Sequence, residues 1–181
     1  MKEFYNERDQ VMFEWFDNGN RAFERGNLFE SFIYLWISWV VACKVHRGNN
    51  YAFTPNLEDS KVVSAWAEGE SREVVRIIES HLILLAPLGK RKGSKYGNAI
   101  VDSSVRLQEK FTRLSDYFNN EYVYENKRQL ATDFAELVNK VRNNLFHGGK
   151  LYSSQEDRKL LSAILPALKE IAQYSVSSTR R

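Results

Sequence analysis

Sulfur and kink-forming residues are scarce in this chain. One cysteine, Cys43, in 181 residues cannot close an internal bridge, so a disulfide-stapled scaffold is excluded. With three histidines and no CxxC pair, a structural zinc site lacks its ligands, and neither a metal nor a cofactor is expected. Three prolines and nine glycines are too few for collagen-like or low-complexity sequence. The most apolar run, FIYLWISWVVACKV at residues 32–45, falls short of the roughly 20 residues that cross a bilayer and reads as a buried helix. The opening MKEFYNERDQ is charged too early for a signal peptide, so the cytoplasm is the expected compartment and no membrane partner is expected. A Walker GK-[ST] end, an H-E-x-x-H pair and a serine nucleophile elbow are all missing.

What is present suits a folded domain. Hydrophobic residues make up 43% and charged residues 27%, in a chain long enough to bury about two-thirds of its unfolded surface. A single domain over residues 1–181 is expected, with the tail SVSSTRR frayed from about residue 175. The net charge of +3 says less than its placement. Residues 87–113 hold seven Lys or Arg against two Asp or Glu, whereas residues 1–86 hold nine against thirteen.

Apolar residues recur at threes and fours, the period of a helix with one buried face. Residues 4–24 form an irregular version of this pattern, with a break or bend expected near Gly19. Leu28, Phe32, Leu35, Trp36, Trp39, Val40 and Cys43 place the next helix at the centre of a bundle, ending near His46-Arg47-Gly48. Residues 48–60 are turn-rich, a short helix follows at 61–69 with Ser60 as a possible cap, and Ser71 can cap a helix that runs towards Pro87. LGKRKGSKYGNAIVDSS, residues 88–104, reads as a long basic loop. Helices are expected at 104–118, at 125–147 with Gly148-Gly149 as its stop, and from Ser153 or Ser154 onward with a bend at Pro166. No strand series is visible. The expected fold class is all-α, an up-and-down helical bundle of about five main helices plus a short helix.

Three histidines bound the acid-base chemistry available near neutral pH. His46 reads as a polar helix end, and His81, inside an apolar helix, as a hydrogen-bonded residue at the edge of the core. His147 stands apart, following Arg142-Asn143-Asn144-Leu145-Phe146 at the end of a strongly patterned helix and preceding two glycines. Asn143, four residues earlier, nearly eclipses it, so the amide could orient the imidazole. Arg142 lies about 140° away round the helix and cannot meet His147 by simple stacking. A guanidinium that holds a phosphate beside an imidazole that moves a proton suits phosphodiester cleavage.

The segment Arg142 to His147 resembles the R-x4-6-H signature of the HEPN family, with Asn143 as the polar residue that commonly follows the arginine. The resemblance implies an all-helical bundle and a metal-independent endoribonuclease whose cleft is assembled by a homodimer. It implies RNA as substrate, cleavage that leaves a 2′,3′-cyclic phosphate, and Arg142 and His147 as the main pair supported by Asn143. It further implies a toxin or defence setting with a possible cognate antitoxin. Arg76 to His81 matches the same spacing, but Ile77 follows its arginine and no glycine exit follows its histidine, so the site is placed at 142–147. Lys90, Arg91, Lys92 and Lys95 could guide RNA electrostatically, or could simply form a solvated loop. Tyr96, Tyr117, Tyr122, Tyr124 and Tyr152 could stack on bases, with core or interface roles the more natural reading. Two alternatives stay open: Arg142 instead pairs with an acid while His147 caps its helix, or the chain is a non-catalytic helical module that binds RNA, a nucleotide or a partner protein.

Overall fold

Trp36, Trp39 and Trp66 meet edge to face at the centre of the molecule, with ring centroids 5.7 and 6.0 Å apart. In this computed structural model, which describes residues 7–50, 58–89, 105–147 and 155–179, the fold is all-α. Among the described residues there are eight helices: α1 (Glu7–Glu24), α2 (Leu28–Asn50), α3 (Asp59–Gly69), α4 (Ser71–Ser80), α5 (Leu82–Gly89), α6 (Val105–Phe118), α7 (Lys127–His147) and α8 (Gln155–Ser178). Helix α2 packs on α1, α3 and α8, while α7 packs on α3, α4 and α6, so both patterned helices rest on α3. Helix α5 lies against α6 and α8.

The window Leu28–Val45 of α2 is long and apolar enough to cross a membrane by length and composition, but half of it is buried inside the protein. Phe32, Leu35, Trp36, Trp39 and Cys43 there are fully or almost fully enclosed. They join Phe134, Leu137 and Val138 of α7 and Ile164, Leu168 and Ile171 of α8 in one core.

Local chemistry explains most of the boundaries. Gly26 ends α1 with φ of 72°, and the Asn27 amide donates to the Ala22 carbonyl, a left-handed closing turn that glycine adopts without strain. Asn27 then caps α2 through its side chain, accepting from the Glu30 amide at 3.4 Å. Asn126 caps α7 in the same way, accepting from the Arg128 amide at 2.9 Å. Asn120, with φ of 60°, turns the chain after α6.

Several expectations are corrected. Helix α1 runs unbroken through Gly19, because that glycine admits a neighbour instead of interrupting the helix. A Cβ there would sit 2.8 Å from Leu35 Cδ2 and 3.2 Å from the Leu35 amide nitrogen, so only glycine lets α2 approach this closely. Helix α2 continues to Asn50, which puts His46 within the helix and not at its end. Glu58 and Glu70, not Ser60 and Ser71, occupy the capping positions of α3 and α4, and neither makes a side-chain cap bond. The helix expected to run from Ser71 towards Pro87 is two helices, divided at His81 with φ of −111° and ψ of 11°. The tail is helical through Ser178 instead of frayed from residue 175: Ser175 is fully buried, and Val176 packs with Met12 and Ala42 in a second apolar cluster.

One polar network sits inside this apolar frame. Asp133 of α7 is fully buried and accepts hydrogen bonds from Gln129 Nε2 at 2.6 Å, Tyr124 Oη at 2.9 Å and Arg113 Nη2 at 3.4 Å. Burial, then the Asp133 charge, hold the Tyr124 phenol far above its ordinary value of 10.0. Burial, then Glu79, push the Tyr117 phenol up as well. The folded chain therefore keeps protons that the unfolded chain releases above about pH 10, so stability present below that pH is lost as the pH rises further. Urea midpoints should fall steeply beyond pH 10 for the parent chain. Tyr124→Phe should start lower, having lost one hydrogen bond, and decline less steeply; equal slopes would refute the assignment.

Candidate functional site

Helix α7 turns its apolar stripe of Leu130, Phe134, Leu137, Val138 and Val141 into the core, and Leu145 continues that stripe by packing against it. This fixes the phase of the helix at its C-terminal end. Arg142 follows buried Val141 by one residue, about 100° round the axis, and emerges half-buried at the margin of the core. Phe146 lies four residues further along and therefore over the same strip of surface. Leu145 lines a shallow recess with Leu28 and Phe29 of α2 and Arg158 and Leu161 of α8, so the end of α7 sits beside the beginnings of those two helices.

The Arg142 guanidinium turns back on its own helix. Its Nη1 donates to Asn143 Oδ1 at 2.8 Å, and its Cζ stands 4.8 Å from the centroid of the Phe146 ring. Its Nε is buried and finds no hydrogen-bond acceptor among the described residues. No Asp or Glu among them forms an ion pair with it either. The alternative in which Arg142 is neutralised by an acid thus finds no partner within the described structure. An arginine steered by an amide and an aromatic ring, with no carboxylate partner among the described residues, has donors to offer an external anion.

The Asn143 carbonyl oxygen accepts a hydrogen bond from Arg142. The polar residue after the arginine therefore steers the guanidinium, while the His147 side chain, which helical spacing has Asn143 orient, lies outside the described residues. His147 is the last residue of α7, and its backbone ends the helix five residues beyond Arg142. Lys90, Arg91, Lys92 and Lys95 lie outside the described residues, as do Tyr96, Tyr152 and the Gly148-Gly149 stop.

The second R-x4-H match provides an internal comparison. Arg76 donates to Glu73 at 2.6 Å and to Glu170 at 3.2 Å, and His81 Nε2 lies 2.9 Å from the other oxygen of Glu170. Both members of this pair are thus bonded to carboxylates, of which Glu170 ties the α4–α5 joint to α8. His81 is a hydrogen-bonded residue at the edge of the core, as its apolar surroundings suggest, although it sits at a helix break and not in mid-helix. Identical spacing yields an ion-paired clasp at 76–81 and, at Arg142, a guanidinium with no ion-pair partner among the described residues.

Two features escaped the sequence reading. Phe146, which lies off the apolar stripe of α7, is 52% exposed beside Arg142; the i to i+4 spacing from Arg142 was the available signal. Asp133 falls on the apolar stripe between Leu130 and Leu137, an acid where the core requires a hydrophobe, and that misfit marks a buried network. Tyr117, Tyr122 and Tyr124 come together edge to face, but Tyr124 is committed to Asp133. No group of three or more His, Cys, Asp or Glu side chains suited to a metal ion occurs among the described residues. No family model, curated protein or solved structure matches the chain.

Proposed function

We propose that the chain is a HEPN-like, metal-independent endoribonuclease that acts as a homodimer. The observation that carries this reading is the Arg142 guanidinium, held by Asn143 Oδ1 at 2.8 Å and free of carboxylate partners among the described residues. A phosphodiester is the anion such a fork matches, and developing charge on the phosphorus oxygens is what it stabilises.

RNA supplies its own nucleophile in this reaction. The 2′-oxygen forms a bond to phosphorus as the bond from phosphorus to the 5′-oxygen breaks, leaving a 2′,3′-cyclic phosphate and a 5′-hydroxyl. One imidazole takes the 2′-hydroxyl proton and a protonated acid delivers a proton to the departing 5′-oxygen. His147 supplies one of these roles, and His147 of the second copy the other. The cellular setting that accompanies this reading is a cytoplasmic toxin or defence nuclease restrained by a cognate antitoxin.

The discriminating experiment is incubation of the purified protein with labelled single-stranded and structured RNAs, transfer RNA included, in excess EDTA. Cleavage with cyclic-phosphate ends is the expected result. Saturable binding that leaves every RNA intact would overturn the nuclease and support the non-catalytic module, which binds RNA, a nucleotide or a partner protein.

A further inference from the structure

Phe146 is more than half exposed, and no other large hydrophobic residue described on α7 is. Leaving a phenyl ring in water forgoes the stabilisation of burial, and its neighbour Leu145 shows that the core lay within reach of this helix end. The ring is also not idle. The Arg142 guanidinium lies over it, with Cζ 4.8 Å from the centroid. Arg142 is in turn steered by Asn143, so the ring is one wall of an arrangement whose opposite wall is a fixed positive charge.

We propose that Phe146 is the base-stacking residue of the site and selects unpaired nucleotides. This inference rests on the ribonuclease reading. The guanidinium covers one face of the ring, and a nucleobase lies on the other. The phosphate of the same stretch of RNA meets the guanidinium, which supplies positive charge to the anion and to the ring quadrupole together. Within a duplex both faces of each base are already covered by its neighbours, so only a base in a loop, bulge or single strand can turn out onto the ring. Stacking on a phenyl face tolerates any base, so Phe146 confers selectivity for unpaired RNA and not for sequence.

The charge beside the ring favours RNA over a second protein surface. An apolar protein partner placed on Phe146 would also bury the adjacent guanidinium, which has no carboxylate among the described residues to offset it. A polynucleotide brings the missing negative charge with the aromatic base.

The test measures binding in the His147→Ala background, where RNA stays intact, using a short labelled single-stranded RNA of mixed sequence and its blunt duplex. Phe146→Ala should weaken single-strand binding on the order of tenfold to a hundredfold. Phe146→Trp should retain it, Phe146→Leu should resemble the alanine variant, and duplex binding should be indifferent to all three. Leucine binding as tightly as phenylalanine, or equal losses for single strand and duplex, would overturn stacking while leaving His147-dependent cleavage intact. Dissociation of the wild-type oligomer by Phe146→Ala, with RNA affinity unchanged, would overturn it and assign the ring to an interface between copies. Failure of the parent chain to bind or cut any RNA would remove the ribonuclease reading and this inference with it.

Discussion

Alanine at His147 is expected to reduce RNA cleavage about a hundred- to ten-thousandfold, the range spanned by removal of a general acid or base. Arg142→Ala should reduce it by about a hundred- to a thousandfold, as loss of a fixed donor to a developing oxyanion does. Neither change should unfold the protein. Arg142 contributes one hydrogen bond to its immediate neighbour and a ring contact within the same helix, and its removal relieves a buried Nε with no acceptor among the described residues. His147 is the final residue of α7, where a helix tolerates most side chains. Asn143→Ala should produce a smaller loss, expressed mainly in KM, because it releases the guanidinium without deleting it. Rates measured over a range of RNA concentrations up to saturation, with circular dichroism melts alongside, check all three variants. Undiminished cleavage by His147→Ala would refute the assignment of the site. The same two substitutions at Arg76 and His81 form the control, since those side chains are already committed to Glu73 and Glu170 and should leave cleavage unchanged.

The second large effect concerns stability. Asp133→Ala should destabilise the fold by about 3–5 kcal/mol, the usual consequence of removing one member of a buried, hydrogen-bonded ionic group. Asp133 is fully enclosed, and three side chains depend on it: Arg113 of α6, Tyr124 of the connection between α6 and α7, and Gln129 of α7 itself. Without the carboxylate, the Tyr124 hydroxyl and the Gln129 amide lose their acceptor, and Arg113 loses its counter-charge. Lys110, 4.0 Å from Asp133 Oδ1 and 2.6 Å from Glu136, joins the same two helices and keeps only Glu136 as its counter-charge in the variant. In a chain of this length the loss corresponds to a melting temperature lower by roughly 6–20 °C. Asp133→Asn keeps the shape and one acceptor, and should fall between the parent and alanine. A shift of under about 1 kcal/mol for the alanine variant would show that the network is dispensable. The two sets of variants should separate cleanly: Asp133→Ala alters melting with little change in activity per folded molecule, and Arg142→Ala does the reverse.

Periodicity alone determined a good deal about this protein. The all-α class, the central place of the α2 aromatics and the burial of Leu130, Phe134, Leu137, Val138 and Val141 all follow from apolar residues at threes and fours, because a helix can bury only the face that such spacing creates. Scarcity did as much: with one cysteine and three histidines, the possible acid-base residues near neutral pH reduce to a handful of positions. The ends of elements were harder to read. Gly19 and Val176 look like breaker and fraying tail in isolation, and each is set by a contact from another helix: Leu35 against Gly19, Met12 and Ala42 against Val176.

Which of the two R-x4-H arginines is ion-paired belongs to tertiary structure. Spacing within a helix sets which side chains share a strip of surface, and both matches have that spacing. It carries no information about which charges the rest of the chain brings to that strip. Glu170 lies 94 residues from Arg76 in sequence yet neutralises it in space. No described carboxylate arrives at Arg142, and the same residue types are left as an open cation beside an exposed ring. Electrostatic compensation depends on distance through space, and only the packing of α4, α7 and α8 supplies it.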